Sequence, residues 1–250
     1  MTATHRGLLV PADTPVHRMA PQCKVTATAL LVLVIAATPT GSYRPYLWYL
    51  LLLVALTALA RVPPLRLLRR LVVEVPFLLF VLGLPVLAGP PRLDVLGVML
   101  SLPGLHAAAA ITLKASFGLL ATALLAATTS LPEIITGLER LRVPRVFTAV
   151  AAFMVRYTDL LAEELSRMRT AAVCRGANPR WFWQLRDVTA GLGALVLRGF
   201  ARGERVSQAM ASRGYTGALP AALRGAAAPG PMWGCALAVP ALAAIGAILA

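Results

Sequence analysis

The sequence predicts an all-α, polytopic membrane protein of about five transmembrane helices, with one long arginine-rich segment on the cytoplasmic side. Three observations carry that expectation. Hydrophobic residues make up 58% of the 250 and charged residues only 14%, too few charges to solvate a globular domain of this length. The apolar residues fall in blocks approaching the roughly 20 residues of helix that cross a bilayer core. Lys and Arg outnumber Asp and Glu by 24 to 10, and they cluster in alternate loops.

Residues 1–24 form a cytoplasmic amino-terminal segment carrying His5, Arg6, Asp13, His17, Arg18 and Lys24, with only the brief Leu8 to Val10 run of apolar character. A cleavable signal peptide needs a longer apolar core and a small-residue cleavage site, so none is read here. Four spans follow within a membrane domain at 25–130: Val25 to Thr38, Tyr46 to Ala60, Leu71 to Ala88 and Leu105 to Thr129. The first two runs are short, and each either extends into flanking polar residues or joins the other in a tight hairpin. A fifth span covers Met232 to Ala250.

The turn between spans two and three carries Arg61, Arg66, Arg69 and Arg70, whereas the turns after spans one and three carry only Arg44 and Arg92. The positive-inside rule therefore places the amino terminus inside, Leu131 to Met232 inside and the carboxyl terminus outside. The inside segment holds fourteen arginines between Arg140 and Arg224 against seven acidic residues between Glu133 and Glu204. A pI of 11.3 raises nucleic acid as a partner. Basic loops lying against anionic lipid are the simpler source of that charge, so the bilayer and not nucleic acid is the expected partner.

No catalytic or metal-binding constellation is present in the sequence. Cys23, Cys174 and Cys235 form no CxxC pair, and His5, His17 and His106 have no metal-ligand spacing, so zinc and redox chemistry find no support and no disulfide is expected. A phosphate-binding glycine loop, a GxSxG elbow and carboxylates at acid/base spacing are all missing. No catalytic residue and no cofactor is expected.

From Leu131 the pattern turns amphipathic, with turn signals at Pro132, Pro144, Gly176 to Pro179 and Gly214 to Pro220. Three helices are expected: Pro132 to Leu141, Pro144 to Arg175 and Trp181 to Arg213, with both prolines in first turns, where their missing N–H costs nothing. Residues 131–231 thus make a helical cytoplasmic unit.

That unit contains a repeat. Arg167, Ala171, Arg175 and Gly176 recur as Arg205, Ala209, Arg213 and Gly214, displaced by 38 positions with the same spacing. Intervals of four set Arg, Ala and Arg on one helix stripe. A small residue before each terminal arginine, Cys174 or Ser212, and a glycine after it let another backbone approach, while the guanidinium can fork onto a carboxylate. Taken singly, each Arg-Gly reads first as a helix C′ cap with a cation at the negative end of the dipole. The matched frame favours a recognition surface. A third Ala-Arg-Gly, Ala201 to Gly203, falls outside the frame and is incidental.

The string Glu204-Arg-Val-Ser-Gln-Ala-Met-Ala-Ser-Arg-Gly-Tyr-Thr-Gly217, preceded by Arg198 and Arg202, resembles the second signature of the T components of energy-coupling factor (ECF) transporters. Arg156-Tyr157, Glu163-Glu164, Arg167-Met168 and Ala171 to Gly176 resemble the first. The family usually reads Ala-Arg-Gly at both sites, and Cys174 and Ser212 keep the position small. His17 to Pro21 with Lys24, and Thr128-Thr129 with Pro132-Glu133, match other stretches in order. Asn178 to Trp183 and Gly203 to Val206 are most similar to the CbiQ-type subgroup, associated with cobalt or nickel uptake.

The resemblance implies a scaffold that hydrolyses nothing itself. Its partners would be a cytoplasmic ABC ATPase dimer and a membrane substrate-binding (S) component. Arg175 and Arg213 would each enter a groove of one ATPase and pair with an acidic residue there, with Arg167, Ala171, Arg205 and Ala209 supporting the coupling helices. The main rival is a channel or secondary transporter with its own substrate path, for which Glu74 and Lys114 in spans three and four are the candidates. They read equally as a structural pair or as contacts with a partner subunit. A membrane-embedded enzyme ranks third.

Overall fold

A computed structural model describes residues 13–39, 43–81, 83, 85, 92–95, 98–176, 185–215 and 229–249. It divides the chain into two compact units, one of Gly7–Gly137 with Ala226–Ala250, the other of Leu138–Gly225 with Met1–Arg6.

The first unit is a helical bundle. A four-residue turn α1 (Pro15–Arg18) leads into α2 (Pro21–Ala37), α3 (Arg44–Ala60), α4 (Pro64–Leu71), a 3₁₀ turn (Val72–Glu74) and α5 (Val75–Val81). A two-stranded antiparallel hairpin, β1 (Arg92–Val95) and β2 (Val98–Ser101), precedes α6 (Leu102–Thr128) and α7 (Leu131–Arg140), and α10 (Gly230–Leu249) completes the bundle. The hairpin is a small departure from the expected all-α chain.

Opposed contacts set the helix directions. Lys24 of α2 donates to the carbonyl of Thr128 at the end of α6 (3.0 Å), and Lys114 of α6 donates to the carbonyl of Ala36 at the end of α2 (2.9 Å). The two helices are antiparallel, and each lysine satisfies a carbonyl that the partner helix cannot bond internally. The indole of Trp48 on α3 lies against Gly246 of α10 and donates to the carbonyl of Leu242 (2.9 Å). Around these contacts Leu31, Ile35, Tyr46, Tyr49, Leu53, Phe117, Ala121 and Ala243 form the core. Tyr46 stacks on Phe117 with ring centroids 6.3 Å apart, and the Tyr49 hydroxyl meets that of Thr38 at 2.7 Å.

The third expected span, Leu71 to Ala88, is corrected. It is no continuous helix: α4 packs Leu67 with Ala123, Leu124 and Ala127, the chain tightens at Val72–Glu74, and α5 starts just before Pro76. Pro76 has no N–H for the Val72 carbonyl and its ring crowds that turn, which breaks the ladder. The segment nonetheless runs antiparallel to α6, since Glu74 accepts from the Ser116 hydroxyl at 2.9 Å. Residues 82, 84 and 86–91 lie outside the described set.

Among the described residues two helices, Leu102–Thr128 and Gly230–Ala247, are long and apolar enough to cross a membrane by length and composition; Pro21–Ala37 and Arg44–Ala60 are apolar but shorter. At 17 residues these last two sit at the lower limit for a span. Leu33, Leu47, Leu51, Leu79 and Phe80 are all more than 60% exposed, a surface suited to lipid and costly in water. The chain is an all-α membrane protein with a minor hairpin.

The second unit is built from α8 (Arg145–Cys174) and α9 (Leu185–Ser212). Pro144 stands one place before α8 as its N-cap, not within its first turn. The expected start of α9 at Trp181, and the Asn178 to Trp183 string, fall outside the described residues.

Candidate functional site

The two helices of the second unit form an antiparallel hairpin. Met168 Cε lies 3.8 Å from where a Cβ on Gly191 would sit. Arg198 Nη1 donates to Glu164 Oε1 at 2.5 Å. Phe153 and Tyr157, stacked on each other with centroids 6.3 Å apart, share a cavity with Val206 and Met210. Position numbers rise along α9 as they fall along α8.

Each helix ends in a left-handed glycine. Gly176 has φ +87° and Gly214 φ +77°, a conformation that costs a residue with a Cβ roughly 1–2 kcal/mol. At the second end the Tyr215 N–H reaches the Met210 carbonyl and the Gly214 N–H that of Ala211, both at 3.0 Å, the paired bonds of a Schellman cap. At the first end the Gly176 N–H bonds to Val173 and the Arg175 N–H to Ala171 and Ala172. The glycines are therefore caps. Among the described residues beyond each helix's own backbone, no atom lies within 4 Å of a Cβ built on either glycine, and Cys174, Arg175, Ser212 and Arg213 are all exposed. Capping thus places both arginines, exposed, at the end of a helix.

The antiparallel hairpin separates those ends. Arg175 lies eleven residues beyond Glu164 and Arg213 fifteen beyond Arg198, in opposite directions. At about 1.5 Å per residue the two arginines stand roughly 40 Å apart along the hairpin.

The supporting stripe is less uniform than its spacing. Arg167 is held by Glu163 one turn before it, at 2.6 Å. That hydrogen bond and the arginine's charge keep the Glu163 carboxyl below the usual carboxylate range. Arg205 has Ala201 at the matching position and instead lines a cavity with Leu160, Glu164 and Arg202. Ala171 and Ala209 are exposed. The Glu164–Arg198 tie has no local signal, because its members stand 34 positions apart.

Exposed apolar side chains lie elsewhere on both helices: Val146, Phe147 and Met154 on α8, and Val196, Leu197 and Phe200 on α9, each at least 55% exposed. In the bundle, Glu74 and Lys114 do not pair. Glu74 is bonded to Ser116 and Lys114 to the Ala36 carbonyl, so the structural pair considered from the sequence does not form.

The described residues thus form an apolar helical bundle with lipid-suited faces and a charged helical hairpin that offers two capped arginine ends. The chain belongs to the cobalt transport protein (CbiQ) family, whose model matches residues 12–222. The energy-coupling factor transporter transmembrane protein EcfT of Thermanaerovibrio acidaminovorans is 31% identical over 224 residues, covering 84% of this chain and 82% of that one. EcfT of Heliobacterium modesticaldum is 29% identical over 84% of both chains. The cobalt transport protein CbiQ of Rhodobacter capsulatus is 34% identical over 122 residues, 48% of this chain and 50% of that protein.

Proposed function

We propose that the chain is the transmembrane scaffold of an ECF-type importer in the inner membrane, with its amino terminus and residues 131–231 cytoplasmic. It couples ATP hydrolysis by two partner ABC ATPases to uptake of cobalt or nickel captured by a separate S component. One observation carries this reading: two matched Arg-Gly helix ends at opposite ends of one hairpin. Ends roughly 40 Å apart cannot both enter a single groove, and they suit two copies of one subunit.

Arg175 and Arg213 each fork onto a carboxylate in one ATPase. When the ATPases close on ATP the two ends are drawn together, and the hairpin converts that motion into a change of crossing angle. The exposed apolar faces of α8 and α9 carry the change to the S component. Five crossings with the third broken at Glu74–Pro76 accord with α6 ending, and α10 beginning, at the end of the bundle where Lys24 and Ala60 lie.

The test is cobalt uptake in proteoliposomes. Uptake is expected only when the chain is reconstituted with its ATPases, the S component and ATP. Uptake by the chain alone would instead establish the rival, a channel or secondary transporter.

A further inference from the structure

The bundle contains a chamber of about 470 Å³ that the coupling reading does not use, a volume typical of a small-ligand site. Its walls come from α2, α3, α6 and α10, with Ala27, Leu31, Leu53, Ala121 and Val239 among the lining residues. It extends from Lys24 to the level of Leu31, seven residues or about 10 Å along α2. Apart from Lys24 and Arg18, every lining residue is uncharged. Arg18 is neutralised by Asp13, which accepts two hydrogen bonds from its guanidinium at 2.6 and 2.7 Å.

Lys24 differs from Arg18. It is only 7% exposed, and its ammonium donates to two neutral acceptors, the carbonyls of His17 (3.2 Å) and Thr128 (3.0 Å). Glu133 attracts it through space, but among the described residues no carboxylate reaches ion-pair distance of it. A buried cation without an anion is costly, and two of its three N–H groups account for the bonds it makes. An apolar chamber ending at such a cation matches an anionic amphiphile.

We propose that the chamber holds an acyl chain of an anionic phospholipid, with the headgroup phosphate beside Lys24. The bilayer supplies both parts of this ligand, and Lys24 begins α2 at the end where α6 stops and α10 starts, a level suited to headgroups. The lipid would brace α10 against α2 and α6.

The experiment is native mass spectrometry of the full chain released from nanodiscs containing equal parts phosphatidylglycerol and phosphatidylcholine. One retained phosphatidylglycerol is expected, favoured on the order of fivefold, the preference of one cation for an anionic headgroup. Ala27→Phe, which fills the chamber, should lose the retained lipid. Lys24→Arg should keep the preference, and Lys24→Met should retain both lipids equally. If Lys24→Met does not fold, the Ala27→Phe result decides. Equal retention of the two lipids by the unaltered chain, retention of none, or undiminished phosphatidylglycerol in Ala27→Phe overturns the proposal.

Discussion

Arg198 on α9 reaches back across the hairpin to Glu164 on α8 at 2.5 Å, between the Met168–Gly191 approach and the cavity shared by Phe153 and Met210, and the order of these contacts sets which ends of the two helices lie apart. The side chain of Glu164 is 29% exposed and that of Arg198 63%, so the pair contributes modestly, in the range of about 0.2–1 kcal/mol. Its weight lies in register. Spin labels at the native Cys174 and at Ser212→Cys, with Cys235 replaced, should give a distance near 40 Å, and Glu164→Gln should broaden the distribution. A mean below about 25 Å, with the ends side by side, contradicts the antiparallel hairpin.

Gly176→Ala and Gly214→Ala should each cost about 1–2 kcal/mol, because both glycines hold left-handed backbone that a Cβ disfavours. Among the described residues no neighbour obstructs the new methyl group, so the loss is conformational. Thermal unfolding of the detergent-solubilised chain measures it, and Gly203→Ala, a glycine inside α9, should lack this penalty.

Gly137 on α7 lies against the start of α2. A Cβ there would stand 3.0 Å from the Gln22 nitrogen and the Pro21 carbonyl carbon, both backbone atoms that cannot swing aside. Gly137→Val should therefore destabilise by about 1–3 kcal/mol, the usual range for overpacking. Lowered melting temperature and reduced yield of monodisperse protein are the readouts.

The Glu163 carboxyl sits below its ordinary value, first because Arg167 hydrogen-bonds it and second because of that arginine's charge. A lowered folded value means the stabilisation exists above the unfolded pKa and is lost as pH falls through the folded one. Both groups are solvent-exposed, so the effect on global stability is small. Carboxyl NMR titration should find Glu163 titrating at lower pH than in an Arg167→Gln variant, where it should rise towards the ordinary glutamate range. Equal titration in the two proteins would show that the pair does not form in solution.

Much of the architecture is legible in local pattern. Pro21, Pro64 and Pro144 mark helix starts, and the glycines after Arg175 and Arg213 mark helix ends, because caps depend on a few adjacent residues. The break in the third segment is signalled by Pro76, yet it lies inside a run that is apolar but for Glu74. The β1–β2 hairpin rests on two four-residue strands, too short for their alternation to stand out. Ser130 and Glu133 form half of a capping box, with the Ser130 N–H on Glu133 Oε2 at 2.9 Å, an arrangement their three-residue spacing encodes locally. The opposed placement of Arg175 and Arg213 was beyond local reading, since it depends on contacts such as Glu164 with Arg198 that no periodicity encodes.

The central claim is that Arg175 and Arg213 are the two points at which ATPases are held. Capture of affinity-tagged ATPase by the reconstituted chain measures it, with Arg175→Ala, Arg213→Ala and the double variant compared against Arg202→Ala. Truncating one partner of a buried charge pair costs about 2 to 5 kcal/mol, so each single variant should weaken capture at its own end by at least about thirtyfold. The double variant should lose the ATPases while still inserting in the membrane, Arg→Lys at both sites should fall between because an ammonium cannot fork, and Arg202→Ala should be mild. A double alanine variant that still captures both ATPases and supports transport at the normal rate contradicts the account and leaves the repeat as two helix caps.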